Sequence, residues 1–279
     1  MNLDALAVVP LAFYLALAVL AAWGALMALR GDFWRADQRL VEGELQPERW
    51  PAVAVIVPAR NEADVVEQSL STLVAQHYEG DVSVFLVDDR SEDDTATLAR
   101  SVDGVTVVGG HDAPAGWTGK MWAVSQGIDA MEVANFPAEY VWLTDADIAH
   151  HPGELASLIA GSEHGGLDLN SLMVRLRIER LWDVLLIPAF VFFFQKLYPF
   201  PWVNDPARKT AAAAGGSMLV RRSALARVGD IASIADELID DCALAQRIKS
   251  SGERIRLSLA TETHSIRAYR SIGEIWRMV

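Results

Sequence analysis

From residue 53 to residue 143 the chain alternates short, unbroken apolar runs with stretches of helical spacing. Val53 to Val57, Val82 to Val87, Val105 to Val108 and Tyr140 to Leu143 predict strands. Ala63 to Gln76, Glu92 to Arg100 and Lys120 to Met131 predict helices, the first with Val65, Val66, Leu70, Leu73 and Val74 on one stripe. Continuous apolar strands separated by helices pack as a mostly parallel sheet covered on both faces, an α/β fold. The stretch 164–262 is less regular, with strands expected at 167–176, 217–221 and 254–260. In such sheets ligands sit outside the carboxyl ends of the strands. Those ends are Pro58-Ala59-Arg60-Asn61-Glu62, Asp88-Asp89-Arg90-Ser91 and Thr144-Asp145-Ala146-Asp147, and all three carry acid.

Ahead of this region, Ala5 to Leu29 runs 25 residues without a formal charge. At ~1.5 Å per residue it is long enough to cross a ~30 Å hydrocarbon layer. A cleaved signal peptide is the alternative, but Met1-Asn2-Leu3-Asp4 carries no basic residue and the apolar stretch is long for one. Arg30, Arg35 and Arg39 follow the segment, which predicts an outside amino terminus and a cytoplasmic remainder. The expected organisation is an anchor at 1–30, a polar linker at 31–50 and a domain at 51–262. A second apolar run, Val184 to Phe194, spans 11 residues, too few to cross a bilayer. Trp182, Tyr198 and Trp202 flank it, so 181–202 is either a buried core helix or a segment lying at the membrane surface beside a lipid acceptor site. Ile275-Trp276-Arg277-Met278-Val279 closes without a helix-stop signal, which predicts that 263–279 begins a membrane-associated region continuing beyond this sequence.

With 37 acidic against 24 basic residues, the net charge of −13 argues against nucleic acid as a partner. The single cysteine, Cys242, excludes an intramolecular disulfide and a paired-cysteine zinc site.

Asp145 and Asp147 end an apolar strand one residue apart, and strand alternation would bring both carboxylates to one face. Hard oxygen ligands of this kind suit Mg2+ or Mn2+ bridging to phosphates; two solvated turn aspartates are the plainer reading. Asp88 and Asp89 can accept hydrogen bonds from a nucleobase and a ribose, while Ser91 and Asp94 behind them fit a capping box. Gly116-Trp117-Thr118-Gly119-Lys120 leads into a helix, where close backbone approach and one lysine favour a diphosphate, unless Lys120 is simply a surface residue. The spacing is not that of a Walker loop, and no G-x-G-x-x-G follows the first strand. Asp240 and Asp241 open a helical stretch, as acids favoured by the helix dipole or as a general base. His150 and His151 read as loop residues, with His264 a remote candidate metal ligand.

In this order the pieces resemble a family 2 glycosyltransferase of the GT-A nucleotide-sugar fold. The family's V-P-x-x-N-E entry reads Val57-Pro58-Ala59-Arg60-Asn61-Glu62, its D-D-x-S strand end Asp88-Asp89-Arg90-Ser91, and its G-K turn Gly119-Lys120. Its D-x-D site reads Asp145-Ala146-Asp147 and its late base motif Asp240-Asp241-Cys242-Ala243-Leu244, a likeness covering about residues 53–250. More narrowly, Gly116 to Lys120, Leu143 to Asp147, Ile187 to Phe194, Ala211 to Gly216 and Leu238 to Leu244 are similar to the hopene-associated subfamily, a bacterial group with further membrane segments after the catalytic domain. A clear Q-x-x-R-W motif is missing, Ile275-Trp276-Arg277 being a partial echo, which speaks against processive synthesis. The resemblance implies that Asp88, Asp89 and the turn of Pro58, Ala59, Arg60 and Glu62 hold the uridine, and that Lys120 meets the diphosphate. It implies Asp147 as ligand of a divalent cation, Mg2+ or Mn2+, with Asp145 between metal and ribose, and Asp241 as base for a single inverting displacement. The implied donor is a UDP-sugar and the implied acceptor a lipid hydroxyl, a hopanoid, with the enzyme at the cytoplasmic face of a bacterial inner membrane. Alternatives are transfer to a polyprenyl phosphate or ceramide-like alcohol, a nucleotidylyltransferase of related fold, and a non-catalytic scaffold binding sugar nucleotides.

Overall fold

The computed structural model describes residues 3–40, 46–269 and 271–278, the side chains of 3–10 and 276–278 excepted. Part of the expected linker, 41–45, lies outside the described residues, as do Val279 and the side chains of Trp276 and Arg277 in the partial motif echo. In chain order the elements are α1 (Leu3–Leu29), β1 (Val53–Ala59), α2 (Val66–Val74), β2 (Val82–Asp88), α3 (Thr95–Arg100), β3 (Val105–Gly109), α4 (Gly119–Val133), β4 (Tyr140–Leu143) and β5 (Ile148–Ala149). Then come α5 (Glu154–Gly165), β6 (Leu169–Arg175), α6 (Leu181–Leu197), α7 (Phe200–Asn204), β7 (Met218–Arg221), α8 (Arg222–Arg227), a 3-10 turn (Ile231–Ile234), α9 (Asp240–Ser250), β8 (Ile255–Ser265) and α10 (Ile272–Met278).

The strands form one sheet in the order β3-β2-β1-β4-β7-β6-β8-β5. Its first four strands are parallel, as the continuous apolar runs predict. Beyond β4 the sheet is mixed: β7 is antiparallel to β4 and β6, while β8 is parallel to β6 and antiparallel to the two-residue β5. Alternation along β1 serves both faces. Ala54 and Ile56 join a core with Phe85, Val124, Val141 and Met218, while Val53, Val55 and Val57 join Leu70, Leu86, Trp142 and Leu155.

The structure departs locally from the predicted pattern in three places. Helix α2 begins at Val66 and buries Val66, Ser69, Leu70 and Leu73, leaving Val74 of the expected stripe exposed. Helix α3 begins at Thr95 without a capping box, because the polar side chains ahead of it bind another loop: Ser91 Oγ accepts from the Asn61 N–H, Asp93 from Ala63 and Thr95 Oγ1 from Glu62. Strand β8 runs on to Ser265, past the expected 260, because β5 pairs with His264 and Ser265.

The apolar helix α1 has a stretch, Leu11–Leu29, long and apolar enough to cross a membrane, and it is 0% buried within the protein. Its base is fastened to α6: Arg30 donates from Nε to the Lys196 carbonyl at 3.0 Å and from Nη2 to that of Leu197 at 3.1 Å. Phe192 of α6 packs edge-on against Phe33, with ring centroids 5.3 Å apart. Helix α6 itself is no core helix, since only Asp183, Ile187 and Gln195 along it are buried.

Beneath the end of β4 lies a buried polar network. His150 follows β5 in irregular structure, as expected, and is buried there. Its Nδ1 lies 3.0 Å from Glu154 Oε2 and its Nε2 2.9 Å from Thr144 Oγ1. Ser217 Oγ donates to Glu154 Oε1 at 2.6 Å, Thr263 donates to the other oxygen, and Thr144 Oγ1 donates to the Gly216 carbonyl at 2.8 Å. Replacing Glu154 strands three buried partners, the situation in which a broken ionic network costs about 3–5 kcal/mol. Glu154→Leu is therefore expected to lower the unfolding free energy of the detergent-solubilised protein by about 3 kcal/mol; an unchanged denaturation midpoint would refute the anchoring role.

Candidate active site

At the carboxyl ends of β1, β2 and β4 the chain leaves a cleft of about 1370 Å³. The backbone there is unusual: Asn61 and Arg90, which leave β1 and β2, both have positive φ, 56° and 55°. Strained conformations of non-glycine residues persist only when their surroundings hold them. Here Asn61 Oδ1 accepts from the Glu92 N–H at 2.8 Å, and the Asp89 N–H donates to the Ala59 carbonyl at 2.8 Å. Asp89 is buried between two guanidinium groups, with Arg60 at 3.6 Å and Arg90 at 3.5 Å. A β-carbon on Gly119 would lie 3.0 Å from the Asp89 carboxylate, so the glycine lets α4 start close to it. Thr118 caps that helix by accepting from the Met121 N–H at 3.2 Å.

Lys120, one residue further, reaches Asp145 at 3.1 Å and Asp240 at 3.3 Å. Burial works against its charge, but Asp145, Asp240 and Asp241 hold its pKa above the ordinary lysine value. Strand β4 stops at Leu143, so Asp145 and Asp147 occupy a turn rather than one strand face and meet different cations. Asp147 Oδ2 accepts from Ser265 Oγ at 2.9 Å and from Arg267 Nε at 3.0 Å. Arg267 also bonds Glu62. Burial, outweighing the Arg267 bond, lifts the Glu62 carboxyl above the usual range, with Asp147 and Asp145 adding to it.

Asp241 sits in the first turn of α9, facing the same cleft. Its Oδ2 accepts from the Gly215 N–H at 2.9 Å and its Oδ1 from the Cys242 N–H at 2.7 Å. Burial, then the adjacent Asp240, raises its pKa above the ordinary aspartate value despite these bonds and Lys120. A carboxylate so placed binds a proton more readily than a solvated one, as a general base must. Burial and then Asp241 push the Cys242 thiol up to about 12, which makes it unreactive.

Of the residues singled out from the sequence, Pro58, Ala59, Arg60, Glu62, Asp89, Lys120, Asp145, Asp147 and Asp241 line this cleft. Asp88 does not line it; its carboxylate accepts from the Ser91 N–H at 3.2 Å and its carbonyl from Arg90 and Gly110, closing the turn. His264 also lies off the cleft, its Nδ1 2.8 Å from the Glu262 carbonyl. Sequence reasoning missed Ser265, Arg267 and Tyr269, which no motif marks; Phe190 and Phe194, which also line the cleft, belong to the apolar run it singles out. Among the described residues the lining includes the acids Glu62, Asp64, Asp89, Asp145, Asp147, Asp241 and Glu274, against Arg60, Lys120, Arg177 and Arg267. No group of three or more His, Cys, Asp or Glu side chains among the described residues converges as a closed metal cage. Two carboxylates one residue apart on an open cleft do fit a hard cation that takes its remaining ligands from substrate phosphates and water. The excess of acid points the same way, because a diphosphate entering there needs positive charge beyond what the side chains supply.

Comparison with solved structures gives a mannosyltransferase of Pyrobaculum calidifontis, solved in complex with GDP-Man and Mn2+, at a TM-score of 0.64 and 22% identity, covering 94% of this chain and 70% of that one. A glucosyl-3-phosphoglycerate synthase of M. tuberculosis superposes with a TM-score of 0.50 at 18% identity, covering 81% of this chain and 75% of that one. Both likenesses are of fold. In sequence, 77 residues are 38% identical to a 4,4'-diaponeurosporenoate glycosyltransferase of Staphylococcus aureus (strain MRSA252), a match spanning 28% of this chain and 20% of that relative's length. The description Glycosyl transferase family 2 matches residues 54–229, from β1 through β7 to the end of α8, and the chain belongs to that family.

Proposed function

We propose that the protein is a membrane-anchored, metal-dependent, inverting glycosyltransferase that moves a sugar from a UDP-sugar to a lipid hydroxyl, with a hopanoid as acceptor. The observation that carries this reading is one cleft in which Asp89, Lys120, Asp145 and Asp147 meet the half-buried carboxylate of Asp241 and the half-buried rings of Phe190 and Phe194. Asp89 and the Pro58 to Glu62 turn take the nucleoside; Lys120, freed from Asp145 and Asp240, takes the diphosphate. A divalent cation, Mg2+ or Mn2+, held by Asp147 with Asp145 beside it, supplies charge neutralisation for the departing diphosphate. Asp241 accepts the proton of the acceptor hydroxyl while that oxygen bonds to the anomeric carbon and the bond to the diphosphate breaks. One displacement on one face inverts the centre.

The acceptor assignment is supported by α6. Leu181, Val184, Leu185, Phe193 and Leu197 are exposed on it, while Phe190 and Phe194 of the same helix line the cleft. Its end is tied to the base of α1, so if α1 spans a bilayer, α6 lies at the membrane surface. The three arginines after α1 support a cytoplasmic cleft in a bacterial inner membrane. The relative named for 4,4'-diaponeurosporenoate supports an apolar acceptor. The hopanoid itself rests on the subfamily resemblance of the sequence. An acceptor already ionised as a carboxylate needs no base, so the hydrogen-bonded, proton-affine Asp241 favours a hydroxyl.

Calorimetric titration of UDP into the detergent-solubilised protein is expected to show binding that requires Mn2+ and is lost in Asp147→Ala. Absence of binding by folded protein, with GDP as well as UDP, would overturn the nucleotide-sugar reading. Asp241→Asn is expected to keep nucleotide binding while kcat falls by about 10²–10⁴-fold, the range for removing a general base; retained turnover would exclude Asp241 from that role. The sign of the pH effect follows from its raised pKa. Catalysis needs the ionised form, so the acid limb of kcat against pH should lie above the ordinary aspartate value of about 3.9. Asp240→Asn, which removes the adjacent negative charge and one of the two acids paired with Lys120, should move that limb to lower pH.

A further inference from the structure

Arg267 occupies one oxygen of the Asp147 carboxylate, the group proposed to hold a cation. Its Nε lies 3.0 Å from Asp147 Oδ2, and its Nη2 bonds Glu62. The guanidinium thus spans two carboxylates that arrive from different strand ends, Glu62 after β1 and Asp147 after β4. Backbone reinforces the pairing, because the Ile266 N–H donates to the Asp147 carbonyl at 2.8 Å and Ser265 Oγ shares Oδ2. Burial opposes the guanidinium charge, yet Asp147 and Glu62 hold its pKa above the ordinary arginine value. Two residues on, Tyr269 packs with Ile187 of α6 and Ile275 of α10, so the segment that carries Arg267 ends against the apolar helix.

We infer that Arg267 is a resident counter-ion of Asp147 that makes cation binding depend on the nucleotide. This rests on the reading of Asp147 as a metal ligand. A divalent cation arriving alone competes for Asp147 with a guanidinium held by two carboxylates, and a guanidinium pushed from Asp147 gains no new partner. A cation arriving with a diphosphate brings that partner, since a released guanidinium bonds phosphate oxygens as readily as carboxylate. The two ligands therefore favour each other's binding, and linkage requires the effect to be equal in both directions. Ser265 shares the same oxygen without charge and contributes no such competition.

The test is free-Mn2+ measurement by electron paramagnetic resonance on the full, detergent-solubilised protein, with and without UDP or GDP. Wild type should bind Mn2+ weakly alone and much more tightly with nucleotide. Arg267→Gln should tighten binding of Mn2+ alone by about ten-fold, the scale of one charge-assisted hydrogen bond removed from the competition, and shrink the enhancement by nucleotide. Arg267→Lys, which keeps a charge but loses the fork, should fall between them and covers the case in which the glutamine variant does not fold. Ser265→Ala should not tighten Mn2+ binding. Nucleotide-dependent Mn2+ binding that disappears in Asp147→Ala but is the same or weaker in both Arg267 variants would overturn the counter-ion role alone. Wild type that binds no Mn2+ with either nucleotide, or binding that survives Asp147→Ala, would overturn the metal reading of Asp147 and this inference with it.

Discussion

Asp145 and Asp147 leave the end of β4 one residue apart, with Glu62, Asp89, Asp240 and Asp241 converging nearby, and like charges gathered out of bulk water repel strongly. The surrounding structure is arranged around that repulsion. Lys120 bridges Asp145 and Asp240, so the first turn of α4 and the first turn of α9 must face each other across the cleft. Arg267 bridges Glu62 and Asp147, so the chain after β8 must pass over the ends of β1 and β4. Each cation lies between acids from separate elements, which makes the pairings tertiary constraints as well as chemical ones.

Small residues and buried hydroxyls make such close approach feasible. Ala211, Ala212, Ala213 and Ala214 are buried in sequence, and the Gly215 N–H at their end is a donor to Asp241. The neighbouring Gly216 carbonyl accepts from Thr144, which precedes Asp145 and contacts His150 and so Glu154. The aspartate turn and the loop that binds Asp241 therefore share one buried network, in which Ser217 and Thr263 bring in β7 and β8. Unpaired buried polar groups are costly, so the network holds both loops in register.

Much of this was legible in the sequence where local pattern and chemistry coincide. The unbroken run from Val53 to Val57 can only be a strand covered on both faces, and the acids after such runs mark the cleft edge. Asp89, Lys120, Asp145, Asp147 and Asp241 stand within recognisable spacing, and all line the cleft. Asp88, equal to Asp89 in the sequence, turns out to close its own turn, a choice made by backbone direction that spacing does not encode. Arg267 was illegible for a different reason. Its partners lie 120 and 205 residues away in the chain, and nothing in Ser265-Ile266-Arg267 indicates that β5 will extend β8 far enough to deliver it. His150 read only as a loop residue because its acid, Glu154, belongs to the next helix and its other ring partner, Thr144, to the preceding turn.

The apolar end of the molecule, at α1 and α6, obeys the same logic with apolar groups in place of charges. Arg30 ends the apolar helix and spends its donors on the carbonyls that α6 cannot satisfy within itself at its C-terminal end. It also lies over the Trp202 ring at 5.4 Å, while Lys196 lies 5.0 Å from the Trp23 ring. Cations and indoles gathered at one level are what a bilayer interface favours. With that end fixed, α6 cannot turn its exposed leucines away from the plane in which α1 stands without breaking the Arg30 bonds. Phe190 and Phe194 are on the same helix and reach the cleft, so one element carries apolar surface from the base of α1 to the wall of the cleft that holds Asp241. For an acceptor with an apolar body and one reactive hydroxyl, as proposed, that continuity lets the body remain against hydrocarbon-like surface while only the hydroxyl enters the charged cleft. The desolvation cost of transfer then falls on the hydroxyl and its base, which is where the hydrogen bonds from Gly215 and Cys242 are concentrated.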